Sequence, residues 1–301
     1  MQSIIEVSCL EKSFRADFWK KPIQVLNGMN FTIDENQILG LIGANGSGKT
    51  TFLKILMGLI SQDRGHIIFK KHKNINEFKK VTSFLPERPY FYSYLTGMEF
   101  ILYQSKLHGL DRGQILSAKK RWAERLKIEH ALDRKIKTYS KGMLQRLGFL
   151  SLLITDPDIL IMDEPLSGLD PIGRKDFKDI IREVHSLGKT FFFSSHVLAD
   201  IEEVCHKVLV LNDGKVQFQG ALEEIYEKYP PEKYEIRIKE KLGALEDISL
   251  CSKLGNSYQY VIDNKRYAQA IEVISSTDSV INYFGPHNYN LESIIYNLKG
   301  V

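Results

Sequence analysis

The eight residues Gly43-Ala44-Asn45-Gly46-Ser47-Gly48-Lys49-Thr50 constrain this chain more tightly than any other stretch. They fit the pattern G-x-x-x-x-G-K-[S/T]. They follow the apolar run Gln37-Ile38-Leu39-Gly40-Leu41-Ile42 and precede a helix-like segment, Thr50 to Leu59. Strand, glycine-rich loop, helix is the setting in which such a loop cradles phosphates. Glycines let the backbone curl so that successive N–H groups point inward, and the helix start adds the positive end of its dipole. Lys49 is placed to reach the β- and γ-phosphates as a point charge. The Thr50 hydroxyl suits Mg²⁺, which takes hard oxygen donors, and Thr51 adds a further phosphate contact. A glycine turn that binds nothing would not need this flanking strand and helix. The motif indicates a nucleotide-phosphate enzyme of the P-loop type without saying which.

A second feature lies downstream. Ile159-Leu160-Ile161-Met162 reads as a buried strand, and it leads straight into Asp163-Glu164-Pro165. Another apolar strand, Phe191-Phe192-Phe193, leads into Ser194-Ser195-His196. Buried parallel strands that deliver polar groups at their carboxyl ends are typical of open α/β sheets. Asp163 fits a carboxylate in or behind a Mg²⁺ shell. Glu164, one residue on, points elsewhere and suits a general base facing an attacking water. Two carboxylates in a surface loop are the plainer alternative, and the upstream phosphate loop weighs against it.

Between and after these segments stand Tyr139-Ser140-Lys141-Gly142-Met143, Ser167-Gly168-Leu169-Asp170 and His196. In this order the motifs resemble the ABC ATPase family over roughly residues 3–220. YSKGM stands where the family has its LSGGQ signature, SGLD resembles the D-loop, and His196 the switch histidine. The resemblance implies an ATPase that takes ATP and Mg²⁺. It implies that Ser140 and Gly142, at a helix start, contact the γ-phosphate held by a second subunit, with Asp170 coupling the two sites and His196 supporting catalysis beside Glu164 and Lys49. Lys141 and Met143 depart from the signature consensus, while the serine and second glycine remain. Glu87 stands where the family has the glutamine of its Q-loop, so it enters as a candidate metal ligand beside Thr50 and Asp163. Phe14 best matches the aromatic that stacks on adenine, with Phe18 and Trp19 as rivals. Arg88 to Thr96, rich in tyrosine, corresponds to the region that docks a membrane subunit.

The fold so implied is α/β: a P-loop ABC ATPase domain over residues 1–220, with a parallel-core sheet, an antiparallel β subdomain and a helical subdomain at about 88–155. The stretch 97–137 reads as long and helix-like. Near Gly220 the pattern changes, and residues 221–301 read as a small α+β domain, with helices at Ala221–Tyr229, Arg266–Ser275 and Leu291–Leu298. The closing Asn290-Leu291-Glu292-Ser293-Ile294-Ile295-Tyr296 resembles the tail of ATPases that serve ABC-2-type exporters. That domain carries no catalytic constellation and reads as a dimerisation or regulatory element.

Composition narrows the partners. A charge of +4 without a basic stripe does not point to nucleic acid. Three distant cysteines, Cys9, Cys205 and Cys251, fit a reducing compartment and are expected to be small buried hydrophobes. With no apolar run of about 18 residues and no signal-peptide pattern, a membrane role needs another chain to do the crossing. The expected partners are therefore a second ATPase subunit, in a homodimer, and an integral membrane permease, at the cytoplasmic face of the membrane. A soluble ABC-type ATPase in DNA repair or translation is the alternative. One cassette and no sustained heptad run speak against it. A small-molecule kinase or GTPase would leave YSKGM, SGLD and His196 unexplained.

Overall fold

The computed structural model describes residues 2–15, 17–239, 249–254, 257–275 and 280–298. The chain divides into two compact units, Met1–Leu222 and Glu223–Val301.

In the first unit, β1 (Ser3–Phe14) and β2 (Ile23–Asp34) form an antiparallel ribbon. Then come β3 (Ile38–Ile42), α1 (Lys49–Leu56) and β4 (Arg64–Phe69), and β4 pairs with the far side of β1 to give a three-stranded sheet. The chain continues through α2 (Ile75–Lys80), β5 (Thr82–Leu85), α3 (Gly97–Leu107), α4 (Arg112–Trp122) and α5 (Lys141–Ile154). Next are β6 (Ile159–Asp163), α6 (Pro171–Ser186), β7 (Thr190–Ser195), α7 (Leu198–Val204), β8 (Lys207–Asn212) and β9 (Lys215–Ala221). A six-stranded sheet runs β5-β6-β7-β3-β8-β9, parallel except for β9 at its edge.

Strands β3, β6 and β7 are buried along their whole lengths, which is why they read as continuous apolar runs. Their parallel register sets Ile42 beside Ser195 and Asp163 beside Ser194. The carboxyl ends of three strands therefore meet in one place, and the cradle leaves from β3, Asp163-Glu164 from β6 and His196 from β7. Helix α1 lies at the centre of the core. Its buried Phe52 packs edge-on to Phe31 of the small sheet and Phe192 of the large one, with ring centroids 5.0 and 5.9 Å apart. Burying a side chain of this size stabilises by about 3 kcal/mol, so the helix after the cradle is held from both sheets.

Several elements differ from expectation. β1 runs unbroken to Phe14, and its register against β2 and β4 shifts around Cys9. Cys9 has φ 48° and is exposed, correcting the expectation of a buried side chain; Cys205 is buried, and the side chain of Cys251 lies outside the described residues. Gly65 explains the irregularity, since a Cβ there would come within 2.2 Å of the Cys9 carbonyl oxygen. Gly28 takes φ 67° inside a continuous β2. The stretch 97–137 is not one helix. Gly109 at φ 77° ends the first, and capping boxes start α3 at Thr96/Glu99 and α4 at Asp111/Gln114.

The second unit comprises most of α8 (Leu222–Lys228), then β10 (Lys233–Ile238), β11 (Ser249–Leu254), β12 (Ser257–Asp263), α9 (Tyr267–Ser275), β13 (Ile281–Pro286) and α10 (Leu291–Leu298). Its antiparallel sheet has the order β11-β12-β10-β13. Ile236, Ile238, Tyr260 and Ile262 of the sheet pack on Ala270 and Ile274 of α9, a core of its own.

Candidate nucleotide site

The cradle is built where β3 ends. Gly43 sits so close to its own loop that a Cβ would come within 2.4 Å of Ser47 Oγ and 2.5 Å of the Leu211 carbonyl oxygen. Gly48, the N-cap of α1, has φ 104°, and a Cβ there would meet Leu26 Cδ2 at 2.6 Å. A Cβ on Gly46 would instead meet nothing within 4 Å, because that side of the loop opens on the site. No side chain caps α1, so its first N–H groups are available to an anion. Ser47 Oγ is buried without a hydrogen-bond partner in this loop.

Lys49 folds back over the loop, donating to the carbonyls of Gly43 at 2.7 Å and Ala44 at 3.2 Å. Burial holds its pKa below the ordinary lysine value, opposed by the carboxylates of Glu164, Asp163 and Glu87. The Thr50 hydroxyl donates to Asp163 Oδ2 at 2.7 Å, across 113 positions of sequence. The other carboxylate oxygen of Asp163 accepts from Ser194 Oγ at 2.6 Å, and Ser194 Oγ in turn accepts the Glu164 N–H at 2.9 Å. Asp163, 1% exposed, thus ties the ends of β6 and β7 to the start of α1. Glu164 has φ 51°, which turns its carboxylate away from that of Asp163. It lies 2.7 Å from His196 Nδ1, and the His196 N–H donates to the same oxygen at 3.3 Å.

A depression of about 460 Å³ is lined by Asn45, Gly46, Gly48, Lys49, Thr50, Thr51, Glu87, Glu164 and His196, with Val25 and Ser167 at its sides. Gly43, Ala44, Ser47 and Asp163 stand behind that lining. Phe14 does not line it: its ring is half-exposed beneath the Lys12 ammonium, and Val25 of β2 borders the site instead. Ser140 and Gly142 do not line it either. Ser140 Oγ caps α5 by accepting the Met143 N–H at 3.3 Å, and Asp170 caps α6 through the Gly173 N–H at 2.9 Å. Ser167 and Ser194 are members of the site that motif reading left without a role. Ser194 precedes His196 by two positions, and its function becomes visible when β6 and β7 pair.

The residues fit a divalent cation beside bound phosphates. Thr50 offers its oxygen lone pairs, Glu87 a carboxylate on the wall, and Asp163 orients Thr50 from behind. Among the described residues no cluster of three or more His, Cys, Asp or Glu forms a metal cage.

The sequence profile of the ABC transporter family matches residues 26–167. An uncharacterized ABC transporter ATP-binding protein of Nostoc sp. is 36% identical over 236 residues, covering 74% of this chain and 68% of the relative. YxlF of Bacillus subtilis, also an uncharacterized ABC transporter ATP-binding protein, is 34% identical over 245 residues, covering 81% and 80%. Among solved structures, the ATP binding subunit of an ABC transporter superposes with a TM-score of 0.68 at 27% identity, over 75% of this chain and 93% of that one. A dimeric ATP-binding cassette bound to ADP and Pi superposes with a TM-score of 0.65 at 19% identity, a likeness of fold. The matched stretch 26–167 holds the cradle, Asp163 and Glu164, and with relatives at 36% and 34% identity this chain belongs to the ABC transporter ATP-binding proteins and hydrolyses ATP.

Proposed function

We propose that the chain is the motor subunit of a membrane transporter, active when two copies enclose two ATP molecules head to tail. The observation that carries this reading is the division of the chain's anion-binding parts. Its cradle, Glu164 and His196 line one depression, while Ser140 and Gly142 of the signature helix lie outside it. Each copy then brings one half of a site and borrows the other.

In this reading the cradle amides and Lys49 hold the β- and γ-phosphates. Thr50 and Glu87, with Asp163 behind Thr50, would hold Mg²⁺, which would supply charge neutralisation. Glu164 accepts the proton of the attacking water, and His196, hydrogen-bonded to it, keeps its carboxylate aimed. Phe14, Phe18 or Trp19 takes the adenine face. The exposed Tyr90 and Tyr94 flank Tyr92, whose ring also meets Tyr103 edge-on at 5.7 Å. This aromatic patch suits docking to a permease, which would hold the chain at the cytoplasmic face of the membrane. No helix among the described residues is long and apolar enough to cross it. An ABC-2-type exporter is the proposed assembly, with residues 221–301 as a dimerisation or regulatory element.

The test is Glu164→Gln. Turnover should fall about a thousandfold, the scale of a lost general base, while ATP binding persists and sedimentation shows an ATP-dependent dimer. Near-normal turnover would remove the base assignment, and a monomer at saturating ATP would remove the shared site. Copurification with a multi-span membrane protein supports transport; copurification with ribosomes or DNA would favour the soluble alternative.

A further inference from the structure

The start of α5 carries an unexpected charge. Lys141 is its first residue, directly after the Ser140 cap, and no acidic side chain stands in that first turn. A cation at a helix N-terminus opposes the dipole, so its placement calls for a compensating contact. The contact is in the same chain. Lys141 Nζ donates to Ser167 Oγ at 3.1 Å. The stem of Lys141 lies across Gly168, where a Cβ would come within 2.6 Å of Lys141 Cδ. Gly168 has φ 79° and leaves room for the stem. Ser167 itself borders the nucleotide depression, three residues after Glu164.

Two more contacts join the first turns of α5 to the same segment. The buried Gln145, four residues and about one turn beyond Lys141, donates from Nε2 to the Pro165 carbonyl at 2.9 Å. Arg146 Nη2 lies 3.9 Å from Asp170 Oδ1. The helix whose start carries Ser140 and Gly142 is therefore fastened to residues 165–170, which begin immediately after the general base.

We infer that Lys141 is a positioning residue that links the signature helix to the segment following Glu164, so that engagement of α5 by one nucleotide sets the Glu164 geometry at the other. This rests on the two-copy reading above. Lys141 then works through Ser167 rather than as a phosphate ligand. Removal of the ammonium or of its acceptor should have the same consequence.

The experiment measures ATP hydrolysis by the full chain for Lys141→Met, Ser167→Ala and the double variant, with thermal melting to confirm folding. Each single change should lower kcat about fivefold with KM within about twofold, and the double variant should be no worse than the more affected single, as expected for partners in one interaction. Lys141→Arg should restore most of the loss. In the Glu164→Gln background, both single variants should still form the ATP-dependent dimer, because the phosphate-binding parts are intact. Losses that multiply in the double variant, or normal kcat in Ser167→Ala, would overturn the link. If Glu164→Gln fails to dimerise while the two single losses coincide, the in-chain link stands and the two-copy reading falls.

Discussion

Two helix starts in this chain are suited to meet an anion, and they are built in opposite ways. Helix α1 begins with Gly48 in the left-handed region, no side-chain cap, and a loop that wraps its first turn. Helix α5 begins with Ser140 in extended conformation, its own hydroxyl accepting the Met143 N–H. The first is pinned from both sheets through Phe52. The second opens outside the depression. In the proposed two-copy reading the contrast separates two tasks: α1 opens on the depression that would hold phosphates within one chain, whereas α5, outside that depression, would need a second molecule to meet a nucleotide.

Three changes can break or sharpen this contrast. Lys49→Ala should act most strongly, lowering ATP affinity about a hundredfold, the cost of about 3 kcal/mol for a charge-assisted contact in a half-enclosed site. Fluorescent-nucleotide titration of dilute chain would measure it, and unchanged affinity would strip Lys49 of its phosphate role. Ser194→Ala should come next. It removes the donor to Asp163 and the acceptor for the Glu164 N–H. Turnover should fall about tenfold, or about 1.4 kcal/mol, the scale of lost positioning hydrogen bonds behind the site, while ATP affinity stays within about threefold. Ser140→Ala should do least to an isolated chain: about 1 kcal/mol of stability from the lost cap, read by thermal melting, with ATP affinity at low protein concentration unchanged. Were Ser140→Ala to weaken ATP binding to dilute chain as much as Lys49→Ala, the two helix starts would belong to one site and the contrast would collapse.

The legibility of the sequence follows the same physical divide. β3, β6 and β7 stand out because strands buried on both faces leave unbroken apolar runs, and the residues that end them carry the motifs. β13 is different. Ile281 to Phe284 are exposed, so burial imposes no alternation and the strand left no readable pattern. The helical stretch 97–137 blurred because its polar periodicity is continuous, although T-x-x-E at Thr96 and D-x-x-Q at Asp111 marked both starts. Within the site, the cradle residues and the acidic pair were legible from local spacing. The Thr50–Asp163–Ser194–Glu164 chain was not, because its members lie up to 144 positions apart, from Thr50 to Ser194, and meet through strand register alone.

Glu164 stands at φ 51°, where a glycine would sit at ease and a longer side chain costs about 1 kcal/mol or more. The fold therefore keeps the carboxylate proposed as the base at a position of poor local fit. Enrichment of variants for heat resistance alone would drift toward glycine at this one place, yielding a sturdier protein that grips ATP and no longer turns it over.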